Sequence, residues 1–360
     1  MLFSNLATFL LLPAAIRAAA VSNSTGACNN SPSLCSKPYD QVTYLGAHDS
    51  PFLRDESTDF STSGNQYYNS TVQLSAGVRL LTAQVQNPED SNALHVCHTS
   101  CDLLDAGTLR DWLAEVRTWM ESNPNEVVTL LLVNGAEATG SALTAQYEAA
   151  GLASLSYTPS GSSSTSQDWP TLQTLIDSGT RLINFVPDLN DDSGAAYLMN
   201  QWNYVFENDY ENTSPTDYSC EVNRPANFVG RTSEAISKGR MPLMNHFLYA
   251  QSGGENSLFT IQEPNATYTP TTNGDSGTGN LETAADACKQ EYGRAPSFIL
   301  TDFFNVGPAI ATVDRLNGVS NPVGRRRVST ANEAPSSGAA AMSRMMWGLS
   351  VPLLCAYALL

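Results

Sequence analysis

"YLGAHDSPF", residues 44–52, is a short apolar run that breaks at a His-Asp pair. The run reads as the end of a strand over 42–46 ("VTYLG"), and His48 and Asp49 fall where that strand passes into a loop. Working outward, comparable runs recur at 78–85, 94–97, 127–133, 181–186, 203–206, 242–248 and 297–301. Between several of them lie amphipathic stretches such as "GTLRDWLAEVRTWMES" (107–122), where Leu109, Trp112, Leu113, Val116 and Met120 share one helical face. Mostly apolar strands separated by helices imply a parallel sheet covered on its faces. Eight such units in about 290 residues fit an α/β fold of the TIM-type (β/α)₈ barrel class better than an open sheet. Polar stretches at 159–167 and 269–280 read as loops inserted between units.

Both ends differ from this pattern. Residues 1–20, "MLFSNLATFLLLPAAIRAAA", carry an apolar stretch followed by Ala18, Ala19 and Ala20, as in a secretory signal peptide, although Arg17 lies after the apolar region rather than before it. A short segment, 21–35, leads into a barrel expected over 36–320, and an aperiodic, flexible stalk is expected over 321–337. Residues 338–360 begin within the small-residue cluster Ser336, Ser337 and Gly338 and end in an apolar run, the arrangement of a GPI-attachment signal that is removed. Of seven cysteines, Cys355 lies in that tail, and the remaining six form an even set, as a secreted disulfide protein requires. Proximity favours Cys28 with Cys35, Cys97 with Cys101 and Cys220 with Cys288 among the fifteen possible connectivities. No C-x-x-C supports a zinc site. Five N-x-S/T sequons, at Asn23, Asn29, Asn69, Asn212 and Asn265, fit the same secreted, cell-surface reading.

The formal net charge of −17 argues against nucleic acid as a partner, and the bulk of this surface would be repelled by anionic membranes. Membrane attachment is therefore expected through the lipid anchor, and the chain is expected to be a monomer. No phosphate-binding glycine loop is present, so no nucleotide cofactor is indicated.

A (β/α)₈ barrel places its chemistry at the C-terminal ends of its strands. His48 and Asp49 follow the first strand, His98 follows the third in this reading, and Asp302 follows the eighth, which adjoins the first in a closed barrel. Two histidines, each leaning on a carboxylate, can act as base and acid in one cycle, because imidazole titrates near neutrality and a carboxylate fixes its tautomer. That combination suits cleavage of a phosphodiester by an internal hydroxyl. His95, inside its strand, reads as structural.

"YLGAHDSPF", "GVRLLTAQVQ" with "LHVCHTSC", "WMESNPNEVVTLLLVN", "QWNYVFENDY" and "FILTDFFNVG" together resemble the PI-PLC X-domain, or PLC-like phosphodiesterase, family in its secreted fungal and plant branch. The resemblance covers roughly residues 36–320 and implies a TIM barrel, a phosphoinositide-like substrate and, as in bacterial relatives, a mechanism without metal or other cofactor. It implies that His48, assisted by Asp302, is the base that activates the inositol 2-hydroxyl. His98, held by Asp49, would be the acid that protonates the departing diacylglycerol oxygen.

One departure stands at the second strand, where the family carries charged residues and this chain has Gln84 and Gln86. Glutamine is a poor calcium ligand and brings no positive charge, so calcium dependence is not expected and turnover is expected to be weak. The magnesium- or calcium-dependent glycerophosphodiesterase and sphingomyelinase barrels fit less well for the same reason. The alternative from another class is a catalytically impaired barrel acting as a cell-surface or wall binding protein. Gln84 and Gln86, with Asn134, Asp188, Glu207 and His246 near the ends of later strands, are the candidate substrate-binding residues.

Overall fold

The structure, a computed structural model, describes residues 26–89, 91–160, 168–189, 193–252 and 261–335. The expected signal peptide, GPI-attachment signal and most of the 159–167 loop lie outside these residues. Among the described residues twelve strands are present: β1 (Tyr44–Ala47), β2 (Leu80–Gln86), β3 (His95–Cys97), β4 (Asp105–Thr108), β5 (Val128–Asn134), β6 (Leu182–Val186), β7 (Leu198–Asn200), β8 (Val205–Glu207), β9 (Met241–Asn245), β10 (Tyr249–Ser252), β11 (Ile261–Pro264) and β12 (Phe298–Thr301). Eight of them form one curled parallel sheet in the order β7-β6-β5-β2-β1-β12-β9-β8. This is a TIM-type α/β barrel whose two end strands, β7 and β8, carry no ladder between them among the described residues.

Successive side chains of each strand point to opposite faces, and because both faces are buried the strands are apolar throughout much of their length. Tyr44, Leu80, Leu131, Phe185, Leu243, Phe298 and Leu300 fill the barrel interior, while Leu45, Leu81, Leu130 and Ile299 point outward to the helices. The outward set meets the helix Leu109–Ser122, whose Leu109, Trp112, Leu113, Val116 and Met120 are all buried, together with Trp119. The side-chain oxygen of Thr108 caps this helix by accepting from Asp111 N–H. Gly46 faces inward between strands, where a Cβ would stand 2.5 Å from the Leu300 side chain and 2.9 Å from that of Leu80, so a larger residue would force these buried side chains to shift.

Two expectations are corrected. The run at 94–97 is no barrel strand: β3 pairs antiparallel with the end of β2 and then with β4, forming a hairpin above the barrel. The strand it displaced from the count is β7, only three residues long, which offers too little periodicity to detect. Residues 321–335, read as a stalk, lie hydrogen-bonded against the barrel. Arg325 pairs with Asp314 (2.6 and 2.7 Å), Asn305 Nδ2 donates to the carbonyls of Ser329 and Ala331, and Tyr67 Oη donates to Asn332. A cavity of about 610 Å³ lies between this segment and residues 53–72, away from the histidines. The three disulfides are Cys28–Cys35, Cys97–Cys101 and Cys220–Cys288. No helix among the described residues is long and apolar enough to cross a membrane.

Candidate active site at the barrel mouth

Strand register builds the centre. β1 and β12 run parallel with Ala47 opposite Thr301, so the next residue of each strand, His48 and Asp302, emerge at one level. His48 N–H still donates to the Thr301 carbonyl, extending the ladder by one step (2.9 Å). His48 Nδ1 donates to Asp302 Oδ1 at 2.9 Å, which fixes the tautomer and leaves Nε2 as the working nitrogen. Asn65 Nδ2 donates to the same Oδ1 (2.9 Å), and Gln66 Nε2 bridges the carbonyls of His48 and Thr301. Both are fully buried polar residues on the loop after β1. The imidazole of His48 stacks flat on Phe247, with 3.8 Å between centroids and 8° between planes.

Asp49, 2% exposed, sits between the two histidines. Its Oδ2 lies 3.7 Å from His48 Nε2 and 3.6 Å from His98 Nε2, within charge-pairing range but beyond hydrogen-bond length. The β3–β4 hairpin, not a barrel strand, delivers His98 here. Phe52 meets its ring edge-on at 5.3 Å, and the Cys97–Cys101 disulfide closes its loop.

The two imidazoles are driven apart electrostatically. Burial alone would lower His48, but the carboxylates of Asp49 and Asp302 outweigh it and hold the group above its ordinary value. Burial dominates at His98 and, helped by the nearby His48 charge, holds it below its ordinary value against the pull of Asp49.

The candidate binding residues divide. Gln84 Nε2 donates to Asp49 Oδ2 (2.7 Å) and its Oε1 accepts from Thr99 N–H (2.8 Å); Gln86 Nε2 donates to the Thr99 carbonyl (3.2 Å). Gln84 thus has both ends of its amide engaged by protein. Asn134 closes its own loop through both Ala138 backbone groups, and Asp188 accepts from Trp202 Nε1. His246 is fully buried, donates from Nε2 to the Thr272 carbonyl, stacks on Tyr218, and is lowered to about 4 by burial. Each of these three has a structural hydrogen-bond partner of its own.

Glu207, at the end of β8, belongs to the mouth: its charge is felt at His48, and it ion-pairs with Arg224, which a backbone bridge holds against the end of β8. The Arg224 guanidinium lies 4.0 Å from the Tyr210 ring centroid and keeps a side-chain exposure of 38%. Tyr249 packs edge-on against Phe247 at 5.5 Å and feels the charges of Asp302, Asp49 and Arg224. Sequence reasoning missed Asn65, Arg224, Tyr210 and Tyr249, because each lies in a loop or, for Tyr249, in the short strand β10, and reaches the mouth only through non-local contacts. His95, Cys97 and Asp105 also cluster, but the Cys97 sulfur is bonded to Cys101.

A parallel α/β barrel bearing two histidines and two buried carboxylates at one mouth defines a class of phosphodiesterase-like barrels. The chain belongs to the PI-PLC X family, whose pattern it matches over residues 34–317. It is 33% identical over 293 residues to a PI-PLC X domain-containing protein of Arthroderma benhamiae, covering 81% of this chain and 90% of the relative. An "uncharacterized secreted protein" of the same fungus is 33% identical over 301 residues; the match covers 83% of this chain and 65% of that relative's length. A PI-PLC X domain-containing protein of Arabidopsis thaliana is 26% identical, covering 58% of this chain and 49% of the relative. In fold, the chain is similar to the S. aureus phosphatidylinositol-specific phospholipase C, with TM-score 0.51, 15% identity, and coverage of 79% of this chain and 95% of that one.

Proposed function

We propose that this protein is an extracellular, GPI-anchored phosphodiesterase that cleaves a phosphoinositide-like substrate by His48/His98 base–acid catalysis. The observation that carries the reading is the single carboxylate, Asp49, faced by the Nε2 atoms of both histidines, with Asp302 fixing the tautomer of one of them. Three disulfides and a relative named as secreted support an oxidising, extracellular setting.

In this mechanism His48 Nε2 takes the proton of the inositol 2-hydroxyl as its oxygen attacks phosphorus. The phosphorus–oxygen bond to diacylglycerol breaks, and His98 gives the departing oxygen its proton. The product is a cyclic phosphodiester and neutral diacylglycerol. His48 is the stronger base for being held high, and His98, once protonated, is the stronger acid for being held low. The reactive pair, neutral His48 with protonated His98, is therefore a minority form of the free protein, and an incoming phosphodiester anion favours it by stabilising the His98 cation. Arg224, with Glu207, Tyr210 and Tyr249, supplies at the mouth the cation that β2 lacks and a polar face for the headgroup. The test is release of cyclic inositol phosphate from phosphatidylinositol by the purified chain with and without EDTA, repeated with His48→Ala and His98→Ala. Turnover that survives either substitution sinks the mechanism.

A further inference from the structure

The end of β2 sends Gln84 and Gln86, two residues apart, to one face of the strand. Both amides close on Thr99: Gln84 Oε1 takes its N–H and Gln86 Nε2 reaches its carbonyl, while Gln84 Nε2 holds Asp49. Thr99 follows His98 within the loop closed by Cys97–Cys101 and has φ 60, a conformation disfavoured for a β-branched residue and kept only where its surroundings enforce it. Across the strand pair, Gly135 makes room for Gln86; a Cβ there would lie 2.5 Å from Gln86 Nε2. We propose that Gln84 and Gln86 are positioning residues, a neutral clamp that fixes the His98 loop and the Asp49 carboxylate relative to His48.

The residue type follows from what the slot at 84 must do. It must donate to a carboxylate on one side and accept from a backbone N–H on the other. An ionised carboxylate cannot donate, and lysine or arginine cannot accept, so among long side chains a neutral amide meets both demands. The slot also sits beside the groups that set the charge around His98, namely Asp49, His48 and Asp302. An acid there would add a second negative charge against Asp49.

The inference rests on the proposed roles of His48 and His98, and the test separates the two. The full chain is compared with Gln84→Met, Gln84→Glu and Gln86→Met by NMR titration of its four histidines, by hydrogen exchange at the Thr99 amide, and by turnover of phosphatidylinositol, with circular dichroism confirming the fold. Gln84→Met is expected to speed exchange at Thr99 and to lower kcat about 10- to 100-fold, the size expected on losing a hydrogen bond to a charged group, with KM within about twofold. Gln84→Glu keeps the acceptor for Thr99, so exchange stays slow, while the added charge raises the His98 midpoint. Gln86→Met is expected to speed exchange at Thr99 without moving that midpoint. A raised KM with kcat unchanged in Gln84→Met would show that Gln84 binds substrate and overturn the clamp, as would Thr99 exchange and histidine titrations that none of the variants alters. Exchange and titration are read without substrate, so failure of turnover alone counts against the proposed function and leaves the clamp to be judged by those two readouts.

Discussion

Asp302→Asn is the most informative perturbation of the catalytic pair, because the structure dictates how the amide must sit. Asn65 Nδ2 and His48 Nδ1 both direct hydrogens at Asp302 Oδ1. An asparagine at 302 must therefore turn its oxygen to that side, which preserves the His48 tautomer. Where the substituted amide instead enforces the wrong tautomer, loss of an orienting carboxylate costs about 10⁴ in kcat; with the tautomer kept, a loss of about 10² is expected here. The amide NH₂ then occupies the place of Oδ2, which is buried and has no hydrogen-bond partner, and stranding a donor there costs about 1–3 kcal/mol of stability. Losing the adjacent charge removes one of the carboxylates that hold His48 high and so lowers its pKa.

The sign of the pH effect follows. Because His48 is held high and His98 low, the alkaline limb of the kcat/KM profile belongs to His48 and the acid limb to His98. Asp302→Asn should therefore move the alkaline limb toward acid and leave the acid limb nearly in place. The raised His48 also stabilises the fold fully below its unfolded pKa, a contribution that disappears as pH rises through the folded value. The deficit of the mutant in thermal melts should thus be larger at acid than at alkaline pH. An alkaline limb that stays put, or moves up, refutes the assignment of His48 and Asp302 as a working pair.

Three further outcomes are expected. Arg224→Gln removes the cation at the mouth and should lower kcat/KM on phosphatidylinositol about 10- to 100-fold, measured at saturating and limiting substrate to separate binding from chemistry. Replacing the Cys220–Cys288 pair by serines opens a span of 68 residues and should cost about 4 kcal/mol, against about 2 kcal/mol for the four-residue Cys97–Cys101 span, so the first variant should melt lower; the reverse order in calorimetry refutes the chain-entropy argument. Among the sequons, Asn29 and Asn212 are buried with their amides bonded to backbone carbonyls, whereas Asn69 is exposed at a helix start, so glycopeptide mass spectrometry should find a glycan at Asn69 and none at Asn29 or Asn212.

Much of this protein is legible in its sequence because the information is local or follows from barrel closure. Short, mostly apolar runs give the parallel strands, and residues at helical spacing give the buried face of the helix Leu109–Ser122. Placing strand eight beside strand one is enough to bring Asp302 to His48. Cysteine proximity gives the disulfide pairs, because short spans close readily.

What tertiary structure alone decided is where groups far apart in sequence meet. The run before His98 has the apolar content of a barrel strand, and only its antiparallel pairing with β2 shows that it is a hairpin folded over the mouth. Gln84 and Gln86 read as substrate donors in the sequence, and only the fold brings Gln84 between Asp49 and Thr99 and Gln86 to the Thr99 carbonyl. The aperiodic segment 321–335 is held by the Arg325–Asp314 ion pair and by hydrogen bonds to Asn305, Tyr67 and Asn30, and Arg224 reaches the mouth by pairing with Glu207, seventeen residues before it. A hydrogen bond depends on the position and direction of two groups in space, and spacing along a chain records neither.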